Sequence, residues 1–335
     1  MNTISEINKL LRQNAKGLFN SEIYSTGHRS YKFFKEKPTA DDFKRLFDLS
    51  QDIEESFRIV TDGQGEEAKN INSLRSSALL SLLCFNKLFA FPCLRNNNRS
   101  LTVNIDGVDI FFSECLFEVR NQVIGFPSCV DVVLRSEDQK ILLFLESKLT
   151  EYAESRNLKR DYTLKQGYKK LYENEVIQRM LKENNLHWNC DNLTISTDDN
   201  DLMYFEGIKQ TISHLIGLVR GPQITSKGYY PTEYHNMYSE WYNKADKLVY
   251  ATILFDLSDF GGQQEYQKYK KLYKSTIGCF SGRIIEAICN FWTNTDINYA
   301  NRIRLLSEPL TYQSLFANPQ NADIPDTIVK QFYKL

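Results

Sequence analysis

No stretch of this chain stays apolar for the roughly 18 residues that a membrane-spanning helix needs. Its first residues, MNTISEINKLLRQNAKG, also lack the charged-then-apolar order of a signal peptide. A cytoplasmic protein with no membrane partner is the simplest expectation. The seven cysteines, at 84, 93, 115, 129, 190, 279 and 289, are scattered, odd in number and never spaced as CxxC. They read as small buried apolar residues and not as a disulfide framework. Four histidines, at 28, 187, 214 and 235, show no HExxH or comparable spacing, which argues against structural zinc. There is no GxxxxGKS/T and no GxGxxG after a strand, and GGQQE at 261–265 lacks both the spacing and the lysine. No nucleotide cofactor is therefore expected. No Ser/His/Asp order stands out. Nor does an internal repeat, a low-complexity tract or a Pro/Gly-rich linker mark a two-domain split.

What is present is ordinary for a globular chain: 335 residues, 42% hydrophobic, 25% charged, net charge -1. The mean hydropathy is -0.44. That length is sufficient for a full core. The net charge announces no polyanion partner, but local charge says more. Residues 159–182 hold seven Lys/Arg against the acids at 161, 173 and 175. Residues 263–283 hold five Lys/Arg against Glu265, interleaved with Tyr266, Tyr269 and Tyr273. Cations with neighbouring rings suit phosphates and stacked bases. A solvated helix face is the plainer reading of each.

Along the chain, residues 1–70 are polar and mostly helical in pattern, an N-terminal region expected to pack on a core formed by 71–335. Thr39 with Asp42 resembles a capping box, ahead of Phe43, Leu46 and Phe47. RSSALLSLLCFNKLFAF (75–91) predicts a helix buried nearly all round, with Ser76 or Ser77 as its N-cap. From 101 to 149 the pattern turns to strands: LTVNIDGVDIFF with a turn at Asp106-Gly107, then CLFEVRNQVIGF, VDVVLR and ILLFLESKL. The last two are joined by a polar loop of hairpin length, 136–140. Helices follow at 163–184 and 206–220, a doubly buried strand at 247–257, and helices at 263–274 and 281–292. Near the end come a strand at 302–307 and a short helix from Thr311. The mixed order predicts an α/β (α+β) fold with one central sheet wrapped by helices.

One constellation carries chemistry. Glu146 and Lys148 share a strand face, just after an apolar run that buries the strand. Charges there need a partner or a metal. The loop at 136–140 brings Asp131 of the preceding strand near Glu146. Two carboxylates at a sheet end suit Mg²⁺, with Mn²⁺ as a substitute. Lys148 beside them is placed to orient or deprotonate a water, or to stabilise charge on phosphorus. A solvated strand end, with Asp131 in a turn or paired to Lys148, is the alternative.

Asp131, fourteen residues, then Glu146-Ser147-Lys148 across a hairpin resembles the PD-(D/E)xK nuclease superfamily. The stretches SSALLSLLCFNKLF, FEVRNQVIGFPSCVDVVL, LFLESKLTEY and GIKQTISHLIGL look like a bacterial group assigned as restriction endonucleases. The residue before Asp131 is Val130 and the nearest proline is Pro127, a departure from the motif. The resemblance implies a restriction-endonuclease-like sheet flanked by helices. It also implies that Asp131 and Glu146 are metal ligands and that Lys148 is the catalytic lysine. An acid upstream, Glu118, is the candidate for a further metal position, against a salt bridge to a nearby Lys or Arg; Glu114 is a weaker one. On the helix 206–220, Glu206, Gln210 and His214 share a face, and the resemblance makes Gln210 a holder of water or phosphate. His214 reads as a satisfied, partly buried histidine.

The implied function is a metal-dependent endodeoxyribonuclease of restriction or other defence, with DNA as partner and a homodimer for a palindromic target. The alternatives are an inactive DNA-binding or scaffold protein on the same fold, and a nuclease for RNA or structured DNA.

Overall fold

The computed structural model describes residues 3–19, 23–25, 31–62, 71–92, 99–124, 127–151, 171, 173–183, 185–189, 194–197, 202–203, 205–223, 230–279, 285–286, 288–289 and 300–335. Its centre is a seven-stranded mixed sheet flanked by helices. Four strands form an antiparallel meander: β3 (Leu101–Ile105), β4 (Val108–Gln122), β5 (Pro127–Ser136) and β6 (Ile141–Lys148). Strand β10 (Lys247–Leu254) then lies parallel to β6, and the short β11 (Ile303–Leu305) and β12 (Leu310–Thr311) run parallel to β10. Two small pieces stand apart: a two-stranded sheet of β1 (Tyr24–Ser25) and β2 (Tyr31–Lys32), and a three-stranded sheet of β7 (Leu186–Asn189), β8 (Thr194–Thr197) and β9 (Leu202–Met203).

Local chemistry sets the meander's register. Asp106 and Gly107 both have positive φ, +53° and +86°, the geometry of a two-residue hairpin whose twist matches the strands. At the β5–β6 turn, Asp138 Oδ1 accepts the Ser136 hydroxyl at 2.6 Å and the Lys140 N–H at 3.1 Å. Ser136 Oγ in turn accepts the Ile141 N–H at 2.9 Å. Those bonds hold the Asp138 carboxyl below the ordinary carboxylate range, the Ser136 hydroxyl contributing most. The expected strands VDIFF and CLFEVRNQ are one continuous β4, with a register shift between Phe112 and Glu114.

Helices cover the sheet. α1 (Thr3–Phe19), α2 (Ala40–Leu46) and α3 (Glu54–Asp62) belong to the N-terminal part. The Thr39 capping box is formed: Thr39 Oγ1 accepts the Asp42 N–H and Asp42 Oδ2 accepts the Thr39 N–H. Phe19, Phe33 and Phe47 meet Phe332 of the C-terminal helix at ring distances of 5.5–5.8 Å, and among the described residues one apolar cluster runs from Ile7 to Tyr333. α4 (Ser77–Phe85) is buried at every residue, with Ser76 Oγ accepting the Leu79 N–H at 3.0 Å. It is shorter than the apolar run suggests. Beyond Phe85 the chain tightens to a 3₁₀ turn at Asn86–Leu88, where Asn86 is held by Ser56 at 2.6 Å and Lys87 pairs with Asp326 at 2.7 Å.

Of the segment expected to be helical at 163–184, α5 (Glu175–Glu183) is described; the basic positions 159–170 lie outside the described residues. α6 (Phe205–Arg220) and α7 (Thr232–Lys244) make the crossover that a parallel β6–β10 pair requires. α8 (Gln263–Cys279) follows. Most of the 281–292 segment lies outside the described residues. The chain closes with α9 (Tyr312–Ala317), capped by Thr311, and α10 (Thr327–Tyr333). Among the described residues, no helix is long and apolar enough to cross a membrane.

Candidate active site

The hairpin turn fixes which carboxylates meet. Val132 pairs with Leu145, so the next cross-strand position sets Asp131 against Glu146. There the side chain replaces the ladder: Asp131 Oδ2 accepts the Ser147 N–H at 2.6 Å. Glu146 is itself paired with Thr252 of β10 and is only 5% exposed. Its Oε1 stands 2.7 Å from the Lys148 ammonium. Burial alone would raise the Glu146 pKa, but Lys148 and then His214 outweigh it and hold the carboxyl at about 2. Lys148 is held well above its ordinary value, since Glu146 first, then Glu151 and Asp131, offset its desolvation. The pair is ionised and nearly dry.

Successive residues of β6 reach opposite helices. Ser147 points toward α4, its hydroxyl lying 2.8 Å from the Tyr312 hydroxyl and donating to the Ser77 carbonyl at 3.3 Å. Glu146 points toward α6, where His214 Nε2 lies 3.1 Å from Oε2. That contact is close but off the line of a straight hydrogen bond. His214 Nδ1 meets the Ser128 hydroxyl at 2.5 Å, and its ring lies 5.6 Å from that of Tyr250. Ser128, His214 and Glu146 thus form a buried chain. Ser128, 3% exposed beneath α6, is closed to an approaching substrate, so the chain is not a nucleophile with its base.

His214 was read from the sequence as a satisfied histidine, and its partners were invisible there. It lies 86 residues from Ser128, and no spacing rule links the two. Glu151 was also missed: Oε2 accepts the Leu149 and Thr150 N–H groups at 2.7 and 2.8 Å, and Oε1 accepts the Ser77 hydroxyl at 2.9 Å. It ties the end of β6 to the start of α4. Gln210 lies one turn before His214 on the same helix face and is half-buried. The side chain of Glu206 lies outside the described residues.

Glu118 lies across from Asp131, in the gap between the Phe117–Val132 and Val119–Val130 rungs. It has φ +49° and interrupts the β4–β5 pairing between Phe117 and Val119. The carbonyls around this break are taken by tyrosines: Tyr230 donates to Glu118 O at 3.1 Å, and Tyr234 to Phe117 O. Arg120 stacks over Tyr230 at 4.2 Å. Burial and then the Glu118 charge push Cys129 up to about 12. Glu118 therefore keeps company with Arg120, Cys129 and Tyr230. Among the described residues no group of three or more His, Cys, Asp or Glu is placed to hold a metal ion. Glu114 is a structural ion-pair partner of Arg135, which stacks on Trp241 at 4.5 Å.

The two-carboxylate set of Asp131 and Glu146 still fits a hard cation. Mg²⁺ needs only one or two protein carboxylates beside waters and a substrate phosphate. Both oxygens of Glu146 already face a nitrogen, Lys148 Nζ at Oε1 and His214 Nε2 at Oε2, so a cation binding there has to displace one of them.

The tyrosines of α8 correct one expectation. Tyr266, Tyr269 and Tyr273 are 9%, 7% and 6% exposed and pack inward, so they offer no ring to a nucleic-acid base. Tyr273 donates to the Leu306 carbonyl at 3.2 Å. Lys268, Lys271 and Lys274 remain on the exposed face, while Lys270 and Lys274 both reach Glu308.

Comparison with known proteins finds no matching family model, no similar curated protein and no similar solved structure.

Proposed function

We propose that this chain is a metal-dependent endonuclease that hydrolyses phosphodiester bonds in DNA, in restriction or another defence role. One observation carries the reading. Asp131 accepts the backbone N–H of Ser147, the residue after Glu146 on the adjacent strand, and the largely buried Lys148 ammonium is in contact with Glu146. A mixed sheet flanked by helices agrees with the superfamily that the sequence resembles.

Asp131 and Glu146 would hold Mg²⁺, which when bound supplies Lewis-acid stabilisation of charge on the phosphoryl oxygens. The remaining chemistry belongs to the chain. Glu146, ionised down to about pH 2, is an acceptor at any working pH. Lys148, whose ammonium Glu146 stabilises in the metal-free chain, is placed to act as a cation beside a phosphate oxygen. Gln210, one turn before His214 on α6, would serve as a neutral hydrogen-bonding group for water or a phosphate oxygen.

The test is an incubation of the purified chain with plasmid, linear DNA and RNA, with Mg²⁺, Mn²⁺ or EDTA. Asp131→Ala and Lys148→Ala run alongside. Metal-dependent cutting of DNA, abolished in both variants, is expected. Cutting of RNA alone would move the substrate class, and cutting that persists in both variants would remove the site.

A further inference from the structure

The two oxygens of Glu146 are held by groups of unlike rigidity. Oε1 faces Lys148, a long aliphatic chain two residues away whose side chain is 15% exposed. Oε2 faces His214, whose ring is 5% exposed and wedged between Ser128 and Tyr250. The helix that carries His214 has no slack. At Gly217, three residues on, an added Cβ would lie 2.7 Å from Asn121 Cβ and 3.3 Å from Ser128 Cβ, so α6 sits directly on β4 and β5. The tautomer that turns an Nε2–H toward Glu146 leaves Nδ1 to accept the Ser128 hydroxyl proton.

We infer that His214, backed by Ser128, is a positioning residue: its Nε2, 3.1 Å from Oε2 though not in line for a straight hydrogen bond, occupies that oxygen and leaves Oε1 for a divalent cation. This rests on the metal-site reading given above. Lys148 is the exchangeable partner. A dication outcompetes a monovalent ammonium for one carboxylate oxygen, and the lysine stem has the rotamers to move. The displaced ammonium stays among Glu151 and Asp131, whose charges it already feels, and is free to meet a phosphate. His214 has no such freedom and stays with Oε2. Groups that orient a metal ligand from behind typically change metal affinity 10–100-fold when removed.

The experiment measures Mn²⁺ binding to the full chain, without nucleic acid, by electron paramagnetic resonance of the free ion, with melting curves in parallel. Wild type is expected to bind and Glu146→Gln to lose binding. His214→Leu should weaken Mn²⁺ about 10–100-fold. His214→Gln, whose amide nitrogen reaches the place of Nε2, should recover most of that loss. Ser128→Ala should fall between. Lys148→Met should bind Mn²⁺ more tightly than wild type, because the competitor for Oε1 is gone. A folded His214→Leu with wild-type affinity overturns the inference and leaves the metal site standing. If His214→Leu does not fold, Ser128→Ala at wild-type affinity overturns it instead. Weaker binding in Lys148→Met overturns the exchange at Oε1. Equal failure of wild type and Glu146→Gln to bind overturns the metal-site reading itself.

Discussion

Asp131 Oδ2 accepts the backbone N–H of Ser147 at 2.6 Å, so a carboxylate continues the β5–β6 pairing one step beyond the Val132–Leu145 rung. The acid proposed as a metal ligand is also part of the sheet. Asp131→Ala leaves a buried N–H without its acceptor and is expected to destabilise the chain by about 1–3 kcal/mol in urea denaturation. Asp131→Asn retains an acceptor oxygen and should cost less. Equal midpoints for Asp131→Ala and wild type would show that the bond contributes nothing.

Glu146 and Lys148 form a nearly dry ion pair, and removing one partner strands the other's charge. Lys148→Met or Glu146→Leu alone is expected to cost roughly 3–5 kcal/mol, whereas the double variant should lie near wild type. His214 and Glu151 remain beside the vacated positions, so the cycle measures the pair within that setting. Additive single losses would mean that the pair is not coupled.

The pair also sets a pH dependence. Glu146 titrates at about 2 in the folded chain, below the ordinary glutamate value of about 4.3. Between those values the unfolded chain binds a proton that the folded chain refuses, so stability falls as pH drops through the window. Lys148, raised above its ordinary value, contributes stability that is complete below about pH 10.4 and lost as pH rises further. Denaturant midpoints between pH 2 and 6 should therefore fall less steeply for Glu146→Gln than for wild type. Parallel curves would assign the acid limb to other carboxylates, such as Asp42 and Asp138.

Gly217 lets α6 lie against the sheet. A Cβ there would meet Asn121 Cβ at 2.7 Å, closer than side-chain carbons approach. Gly217→Ala is expected to cost about 1–3 kcal/mol by overpacking. The same shift would move His214 away from Glu146. Unchanged thermal unfolding would show that α6 has room to give.

Much of the architecture was legible in the sequence because local rules governed it. The Asp106-Gly107 turn, the Ser136–Lys140 loop, the Ser76 cap, the Thr39–Asp42 box and the doubly buried β10 each follow from residues within a few positions of one another. The approach of Asp131 to the end of β6 was legible for the same reason, since a short hairpin fixes its own register. Glu118 was not. Its left-handed backbone breaks the alternation of β4, and strand parity alone cannot show that. The tyrosines of α8 looked like a surface feature because they alternate with lysines, yet helical geometry turns all three inward.

By itself, then, the sequence determined the mixed fold, the hairpin, and the placing of Lys148 beside Glu146 and of Asp131 beside Ser147, because turn chemistry and strand periodicity act over short separations. Only the tertiary structure decided that Ser128 and His214 brace Glu146, that Glu151 ties β6 to α4, and that Glu118 belongs with Arg120 and Tyr230. Apart from Glu118 with Arg120, those contacts join residues far apart in the chain. They exist because α6 and α4 are pressed onto opposite faces of one sheet, a packing that no local pattern encodes.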